Sequence, residues 1–401
     1  MTSSFAEGRS VELDWRRLAE VAAGLAGTPS YVMAATGVRN SLSELARVTA
    51  RVSARHWLSF KTQPVKPLMH LWRDWGGGVE VVSEYELIAA LQAGFDARAI
   101  LVNGVGKRVW LSQREIPHLN VHFDSISEVR QLRRQAEALA WRVGIRCQVP
   151  NQRDADGSAP SGQFGMSVNE AMEVAALLRV STAPVRGIHF HIGTNIPRAD
   201  EFLTAVEHVI DVCRAARLEP EYVDIGGGLP LPSERPGFDF ERFADILAEI
   251  PKRLPTVREL WMENGRFLTA RAAALVVSII DRKERPDVVY LLCDGGRTNH
   301  ALVAGRARHL LMSVPDRRGT ERLTSVCGPT CMGSNRLGEW LLPDSLQPGD
   351  LLVWMHAGAY HLAWETRFSG GLAAVVWVDL NGTPTVARPR ESPEYWWAAW
   401  T

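Results

Sequence analysis

The chain has 401 residues, 46% of them hydrophobic, and its 45 basic and 45 acidic side chains cancel to zero formal charge. That length supplies one large domain or two ordinary ones with ample core, and the neutral balance gives no electrostatic basis for a nucleic-acid or anionic-membrane partner. Five cysteines (Cys147, Cys213, Cys293, Cys327, Cys331) without a Cys-x-x-Cys pair argue against a disulfide framework or structural zinc and point to a reducing cytoplasm.

In chain order, Met1 to Ser10 lack a charged segment followed by an apolar stretch, so no secretory signal is expected. A strand is expected at 31–34. From about 57 to 263, strand-like apolar runs at 57–60, 79–82, 99–102, 119–123, 145–149, 187–192, 222–225 and 260–262 alternate with helical patterns at 84–93, 127–143, 169–178, 199–216 and 240–253. Buried parallel strands read as apolar runs, and their crossovers need a dozen or more residues. Eight strands in that alternation predict a (β/α)8 TIM-like barrel; no Gly-x-Gly-x-x-Gly turn follows the first strand, which weighs against an open dinucleotide-binding sheet. A Gly-, Pro-, Asp- and Ser-rich stretch at 150–165 reads as a loop. After about 271 come strands at 274–281, 288–293, 350–355 and 371–379 without long helices between them. The expected organisation is therefore a barrel over 38–270 and a mostly β domain from 271–401, joined by 1–37. Apolar runs such as 272–280 are about half the ~20 residues of a membrane span. The arginines Arg306, Arg308, Arg317, Arg318 and Arg322 read as a solvated face.

Polar residues stand at the ends of several expected strands, where a barrel gathers its chemistry. Lys61 directly follows the first strand; desolvation there would lower its pKa and free the amine for Schiff-base chemistry, although a lysine at a strand end also serves simply as a surface residue. His189 and His191, two apart, share one face of an extended strand. They read either as ligands of a divalent ion in a barrel hydrolase, or as one imidazole flat on a cofactor ring beside a buried partner. Asp224-Ile225-Gly226-Gly227-Gly228 lets backbone N–H groups approach a phosphate, and equally serves as a plain tight turn. Glu263-Asn264-Gly265-Arg266 offers a carboxylate and a guanidinium to the two ends of one anionic heteroaromatic ligand, or a loop salt bridge.

Together these strings resemble the fold-type III pyridoxal-phosphate (PLP) enzymes, specifically the ornithine/diaminopimelate decarboxylase group and more distantly alanine racemase. The resemblance rests on Ser59-Phe60-Lys61-Thr62-Gln63, Val81-Val82-Ser83-Glu84-Tyr85-Glu86-Leu87, Phe190-His191-Ile192-Gly193-Thr194, the 224–228 turn and the 263–266 string. It continues through Cys293-Asp294-Gly295-Gly296, Gly328-Pro329-Thr330-Cys331 and Ala357-Gly358-Ala359-Tyr360, in family order over most of the chain. It implies a PLP-dependent carboxy-lyase that removes the α-carboxylate of an amino acid through a Lys61 Schiff base. Lys61, His191, Glu263 and Cys331 would be catalytic. Glu80, Thr194, Gly227, Gly228, Gly265, Arg266 and Tyr360 would complete the cofactor site, with Glu86 nearby, His191 on the ring face and Glu263 at the ring nitrogen. It also implies a homodimer with shared active sites, Asp294 and Cys331 reaching the neighbouring subunit's cofactor.

The departures from the family pattern bear on the substrate. Acidic residues that usually follow the cysteine are here Met332 and Asn335. A buried distal ammonium would lack counter-charge, so the pocket at Asp294, Met332 and Asn335 is expected to take an altered substrate, conjugated or carrier-bound. An Arg expected near strand five is replaced by Cys147, with Arg146 adjacent. A racemase or epimerase on the same fold and the barrel hydrolase are the alternatives; a non-catalytic PLP-binding protein is disfavoured by the β domain, which such proteins lack. No metal is expected.

Overall fold

The computed structural model describes residues 11–153, 162–300 and 309–400. The first ten residues, the middle of the 150–165 loop, and Arg306 and Arg308 of the arginine group lie outside the described residues. Two compact units emerge. One comprises Leu42–Lys61 and Met69–Phe267; the other takes the segment ending at Ser41, Thr62–Leu68, and the chain from Leu268 on.

After β1 (Ser30–Ala34), the strands β2 (Ala54–Ser59), β3 (Gly78–Val81), β4 (Ile100–Val102), β5 (Asn120–Phe123), β6 (Arg142–Arg146), β7 (Val185–His189), β8 (Tyr222–Asp224) and β9 (Glu259–Glu263) follow in order. β2 through β9 form a closed barrel, every neighbouring pair parallel, with β9 pairing back on β2. Its interior is filled by Trp57, Leu101, Tyr222 and Trp261, with Tyr222 stacked on Trp261 at 3.6 Å. Large rings are set against glycines: a Cβ on Gly187 would lie 2.0 Å from Tyr222 Cζ, and one on Gly78 would lie 2.4 Å from the Trp57 ring. Such large-against-small filling makes the barrel centre a packed core rather than a pore.

The crossover helices start where their caps dictate. Ser83, Ser125, Ser167 and Asp239 each accept a backbone N–H at a helix start, and Ser167 with Glu170 completes a capping box. In Phe240–Arg253 the buried residues Phe243, Ala244, Ile246, Leu247 and Ile250 form one face. The helix expected at 127–143 ends earlier, as Ile126–Ala138. Ala140 turns left-handed at φ 51°, Trp141 donates its indole N–H to Ile116 O, and the next strand has begun by Arg142. Strands expected at 145–149 and 187–192 likewise begin and end earlier, at Arg142–Arg146 and Val185–His189, because their apolar runs continue past the parallel ladder.

The second unit holds β10 (Ala273–Glu284), β11 (Val289–Cys293), β12 (Leu311–Val314), β13 (Glu321–Cys327), β14 (Arg336–Pro343), β15 (Leu351–Met355), β16 (Ala374–Val378) and β17 (Pro384–Arg388). They join β1 in a nine-stranded mixed sheet ordered β14-β13-β11-β10-β1-β16-β17, with β15 pairing β10 and β12. β1 lies between β10, antiparallel, and β16, parallel, so the N-terminal segment is a central strand of this sheet. Its core gathers Trp15, Ala19 and Ala22 from the first helix with Val32, Val276, Val353 and Val376. The architecture is thus an eight-stranded β/α barrel plus a mixed β unit built from both chain ends. All five cysteines are free thiols, and among the described residues no helix is long and apolar enough to cross a membrane.

Candidate active site

Lys61 lies in the short turn Phe60–Thr62 after β2. Its Nζ donates to both carboxylate oxygens of Glu80, at 3.0 and 3.1 Å. Parallel register sets Glu80 beside Ser59, two residues before the lysine. The expected desolvation falls on the carboxylate instead: the Glu80 side chain is 1% exposed and that of Lys61 41%, so the lysine is held by an ion pair rather than by an apolar wall. Glu86 accepts the Val82 N–H at 2.7 Å while its own N–H bonds to Ser83 Oγ, and burial raises its pKa. It fixes the start of the helix Glu84–Gln92.

Three strand ends converge on the glycine turn. Asp224 Oδ1 accepts the Gly226 N–H at 2.9 Å. A Cβ on Gly226 would lie 2.7 Å from His191 Nδ1, one on Gly227 2.6 Å from Glu263 O, and one on Gly228 2.6 Å from Gly193 O. Gly226 and Gly228 also hold φ of 67° and 99°, a region that favours glycine. The turn brings the loop carrying Gly193 and Thr194 against the end of β9. His191 Nδ1 accepts the Gly227 N–H at 3.1 Å, which fixes the tautomer with its proton on Nε2. Burial first, with Arg146 and Lys61 adding repulsion, pushes the His191 pKa down to about 3, so the ring is neutral.

Glu263 ends β9, buried. Asn103, directly after β4, donates its side-chain N–H to Glu263 Oε1 at 2.5 Å, and His189 Nε2 stands 3.4 Å from the same oxygen. Burial, then Asp224 and Glu80, push the Glu263 pKa well above the carboxylate range against the opposing pull of Lys61 and Arg146. Burial likewise lifts Asp224 to about 7. Burial of this kind favours the protonated carboxyl in the cofactor-free chain, and a basic ring nitrogen set against Glu263 would take that proton and become cationic beside a carboxylate.

His189 and His191 do not act as one pair. His189 stacks on His122 at 4.9 Å, and His122 Nε2 meets Tyr222 Oη at 3.1 Å. His122, His189 and Glu263 offer ligand atoms within 4.8 Å of one another, whereas His191 is turned to the glycine loop. Two further residues join the site: Asn103, which the sequence did not single out, and the buried Arg146, noted there only as the neighbour of Cys147. The Arg146 guanidinium lies 4.6 Å from the Phe164 ring, its Nε has no partner, and its charge acts on His191, Asp224 and Glu263. Arg146 is the last residue of β6, one position before the Cys147 that stands where an arginine was expected. Cys147 itself is buried with its thiol pKa raised. Gly265 precedes Arg266, which opens the helix Arg266–Thr269, pairs with Glu234 and keeps a buried, unpartnered Nε.

The remaining expected residues belong to the second unit. Tyr360, left-handed at φ 64°, donates its backbone N–H to Thr62 O at 3.0 Å. Cys331 is exposed at φ 55°. Asp294 accepts the Ser278 N–H at 2.8 Å. Asn335 spends its amide on loop structure, accepting the Arg297 N–H at 2.7 Å and donating to Thr330 Oγ1 at 2.6 Å. Met332 is 52% exposed.

A lysine at a strand end, a buried acid of raised pKa, a neutral imidazole, and a glycine turn with an arginine of spare N–H after the next strand fit the aldehyde, ring nitrogen, ring face and phosphate of pyridoxal phosphate. The barrel and these groups define a PLP enzyme of the barrel fold. The model of the family "Pyridoxal-dependent decarboxylase, pyridoxal binding domain" matches residues 39–270, and the chain belongs to that family. It is a PLP-dependent amino-acid decarboxylase, which sets aside the racemase and barrel-hydrolase alternatives. It is 27% identical to L-glutamyl-[BtrI acyl-carrier protein] decarboxylase of Niallia circulans, over 90% of this chain and 91% of that one. It is 26% identical to diaminopimelate decarboxylase of Methanothermobacter thermautotrophicus, over 91% and 90%. The fold matches the crystal structure of diaminopimelate decarboxylase from M. jannaschi with a TM-score of 0.81 at 23% identity, over 95% of this chain and 93% of that one.

Proposed function

We propose that this decarboxylase acts on an amino acid whose distal end is conjugated, as on a carrier protein, and not on a free diamino acid. The observation that carries this is the loop after Cys331. Met332 and Asn335 occupy the positions of the acidic residues, and the cleft of about 400 Å³ beside them is lined by Arg297, Thr298, Thr330, Ser334 and Phe368. A guanidinium in place of carboxylates repels a terminal ammonium and accommodates an acyl carbonyl or an anionic group. The relative named for a glutamyl-carrier substrate supports the same reading.

The residue roles we propose are supported by the resemblance and, for the barrel residues, by their geometry. Lys61, steadied by Glu80, anchors the cofactor and returns to hold a proton at Nζ. Glu263, oriented by Asn103, meets the ring nitrogen; His191 lies on the ring face; Thr194, Gly227, Gly228, Gly265, Arg266 and Tyr360 take the phosphate. When bound, pyridoxal phosphate supplies the electron sink that accepts the pair left as carbon dioxide departs. Cys331 Sγ then delivers a proton to the substrate carbon, from the partner chain of a homodimer, with Asp294 beside it.

Carbon dioxide release measured over a panel tests the substrate. A glutamyl thioester or carrier-bound glutamyl group should be turned over, whereas ornithine and diaminopimelate should not. Faster turnover of either diamino acid than of every conjugate would sink the proposal. Mixing Lys61→Ala and Cys331→Ala chains tests the shared site: mixed dimers should regain activity that neither parent has.

A further inference from the structure

The β unit carries a group of side chains that the decarboxylase chemistry does not use. His300, His309 and His361 are buried, and each offers a ring nitrogen within 4.8 Å of the others. They come from the short helix Arg297–His300, from the residues just before β12, and from the loop after β15. Their rings lie 4.9 to 5.2 Å apart, centroid to centroid.

The hydrogen bonds fix what these rings present. His309 Nδ1 lies 3.0 Å from Met355 O, and His361 Nδ1 lies 2.9 Å from Ala359 O. A carbonyl can only accept, so each Nδ1 carries the hydrogen, and in the neutral ring each Nε2 offers a lone pair. Those two Nε2 atoms lie 3.3 Å apart, close enough for both to face one proton or one metal ion. Both nitrogens of His300 are buried without a partner, which is costly for a polar group. Zinc binds imidazole at about 2.0–2.1 Å, and a tetrahedral arrangement at that distance sets neighbouring ligand atoms about 3.3–3.4 Å apart. The observed Nε2 separation is that tetrahedral edge. The backbone carbonyls behind both rings are the outer partners that metal-bound histidines use to fix tautomer and orientation.

We propose that His300, His309 and His361 form a structural site for a borderline divalent cation, zinc by its acceptance of an all-imidazole tetrahedral set, with a fourth position left for water. The ion tethers the loop 356–362 to the strand-flanking segments before β12 and after β11. Tyr360 sits in that loop, next to His361, so the ion steadies the residue whose N–H bonds to Thr62, one position beyond Lys61. With ligands this buried, the ion enters as the chain folds rather than afterwards.

The test uses full-length, cofactor-loaded enzyme, without a polyhistidine tag, produced in zinc-supplemented medium and again with cobalt. Elemental analysis should give about one zinc per chain, and the cobalt form should show the intense visible bands of a tetrahedral ion. A His309→Ala/His361→Ala double variant should lose the metal, and cofactor absorbance reports whether it has folded. Wild-type protein free of zinc and without cobalt bands overturns the proposal even if the variant fails to fold. Equal metal in a folded double variant overturns it as well, assigning the ion to the barrel cluster of His122, His189 and Glu263.

Discussion

The ends of the barrel strands and the loops of the β unit both bury polar side chains, but they satisfy them differently. In the barrel, charges answer charges: Lys61 bonds to Glu80, and Glu263 is pulled by Asp224 and Glu80 in one direction and by Lys61 and Arg146 in the other. In the β unit, main-chain N–H groups recur as the partners, alongside ion pairs such as Arg388–Glu365. Ser278 N bonds to Asp294, Arg297 N to Asn335 and Ala373 N to Glu365. A cluster of ionisable groups changes its charge without rebuilding the backbone, which is what moving protons requires. A side chain pinned by main-chain donors is fixed, which is what a scaffold requires. Substitutions in the first region should therefore reduce turnover, and those in the second should reduce stability.

The largest effect separates the two. Lys61→Ala should lower decarboxylation on the order of 10⁴-fold and remove the cofactor's bound-state absorbance, while the circular dichroism spectrum stays native. An unchanged cofactor spectrum would remove Lys61 from its role. Glu365→Ala should do the reverse. It orphans the Asn299 side-chain N–H and the Ala373 N–H, bonded at 2.8 and 2.7 Å, and leaves Arg388 without its carboxylate. A loss of about 3 kcal/mol is expected, read by denaturant unfolding, with turnover per folded molecule retained.

The same contrast explains what the sequence discloses. The barrel strands are buried on both faces, so runs such as Ile100-Leu101-Val102 stand out, and the polar residues that end them are visible as exceptions. Asn103 passes unnoticed because a single amide after a three-residue strand acquires meaning only from Glu263, 160 residues away. Arg146 is passed over as a neighbour of Cys147 because β6 starts three residues before its apolar run. β13 and β14 are missed because they are half exposed and Gly338 interrupts their pattern. The three histidines of the β unit are spread over 300–361, and no local spacing rule joins them. Boundaries and long-range partners are tertiary products; the fold class and the convergence of strand ends are not.

Charge coupling at the barrel can be exposed by pH. Asp224 and Glu263 hold pKa values raised above those of the unfolded chain, so the folded state binds the extra protons. Their contribution is fully present below about pH 4 and is lost as pH rises through about 7 and beyond, with a slope of up to about 1.4 kcal/mol per pH unit for each proton. Cofactor-free protein should therefore lose stability between pH 5 and pH 8 in thermal unfolding. Glu263→Gln removes one of the two protons and should flatten that loss while lowering turnover. An equal slope in the variant would show that Glu263 is not part of the coupled pair.

The smallest effect is the most specific. Asn335→Asp keeps the acceptor for the Arg297 N–H, and the Thr330 hydroxyl can reverse to donate, so both side-chain bonds survive. The stability change should stay under about 1 kcal/mol. What changes is the sign of charge at a cleft otherwise marked by Arg297. If that cleft receives the distal end of the substrate, a carboxylate there should favour a terminal ammonium, raising the kcat/KM ratio of ornithine to conjugate by about tenfold, or ~1.4 kcal/mol. If the ratio stays put while the protein remains folded, the cleft does not read the substrate, and the altered loop after Cys331 is scaffold like the rest of its unit.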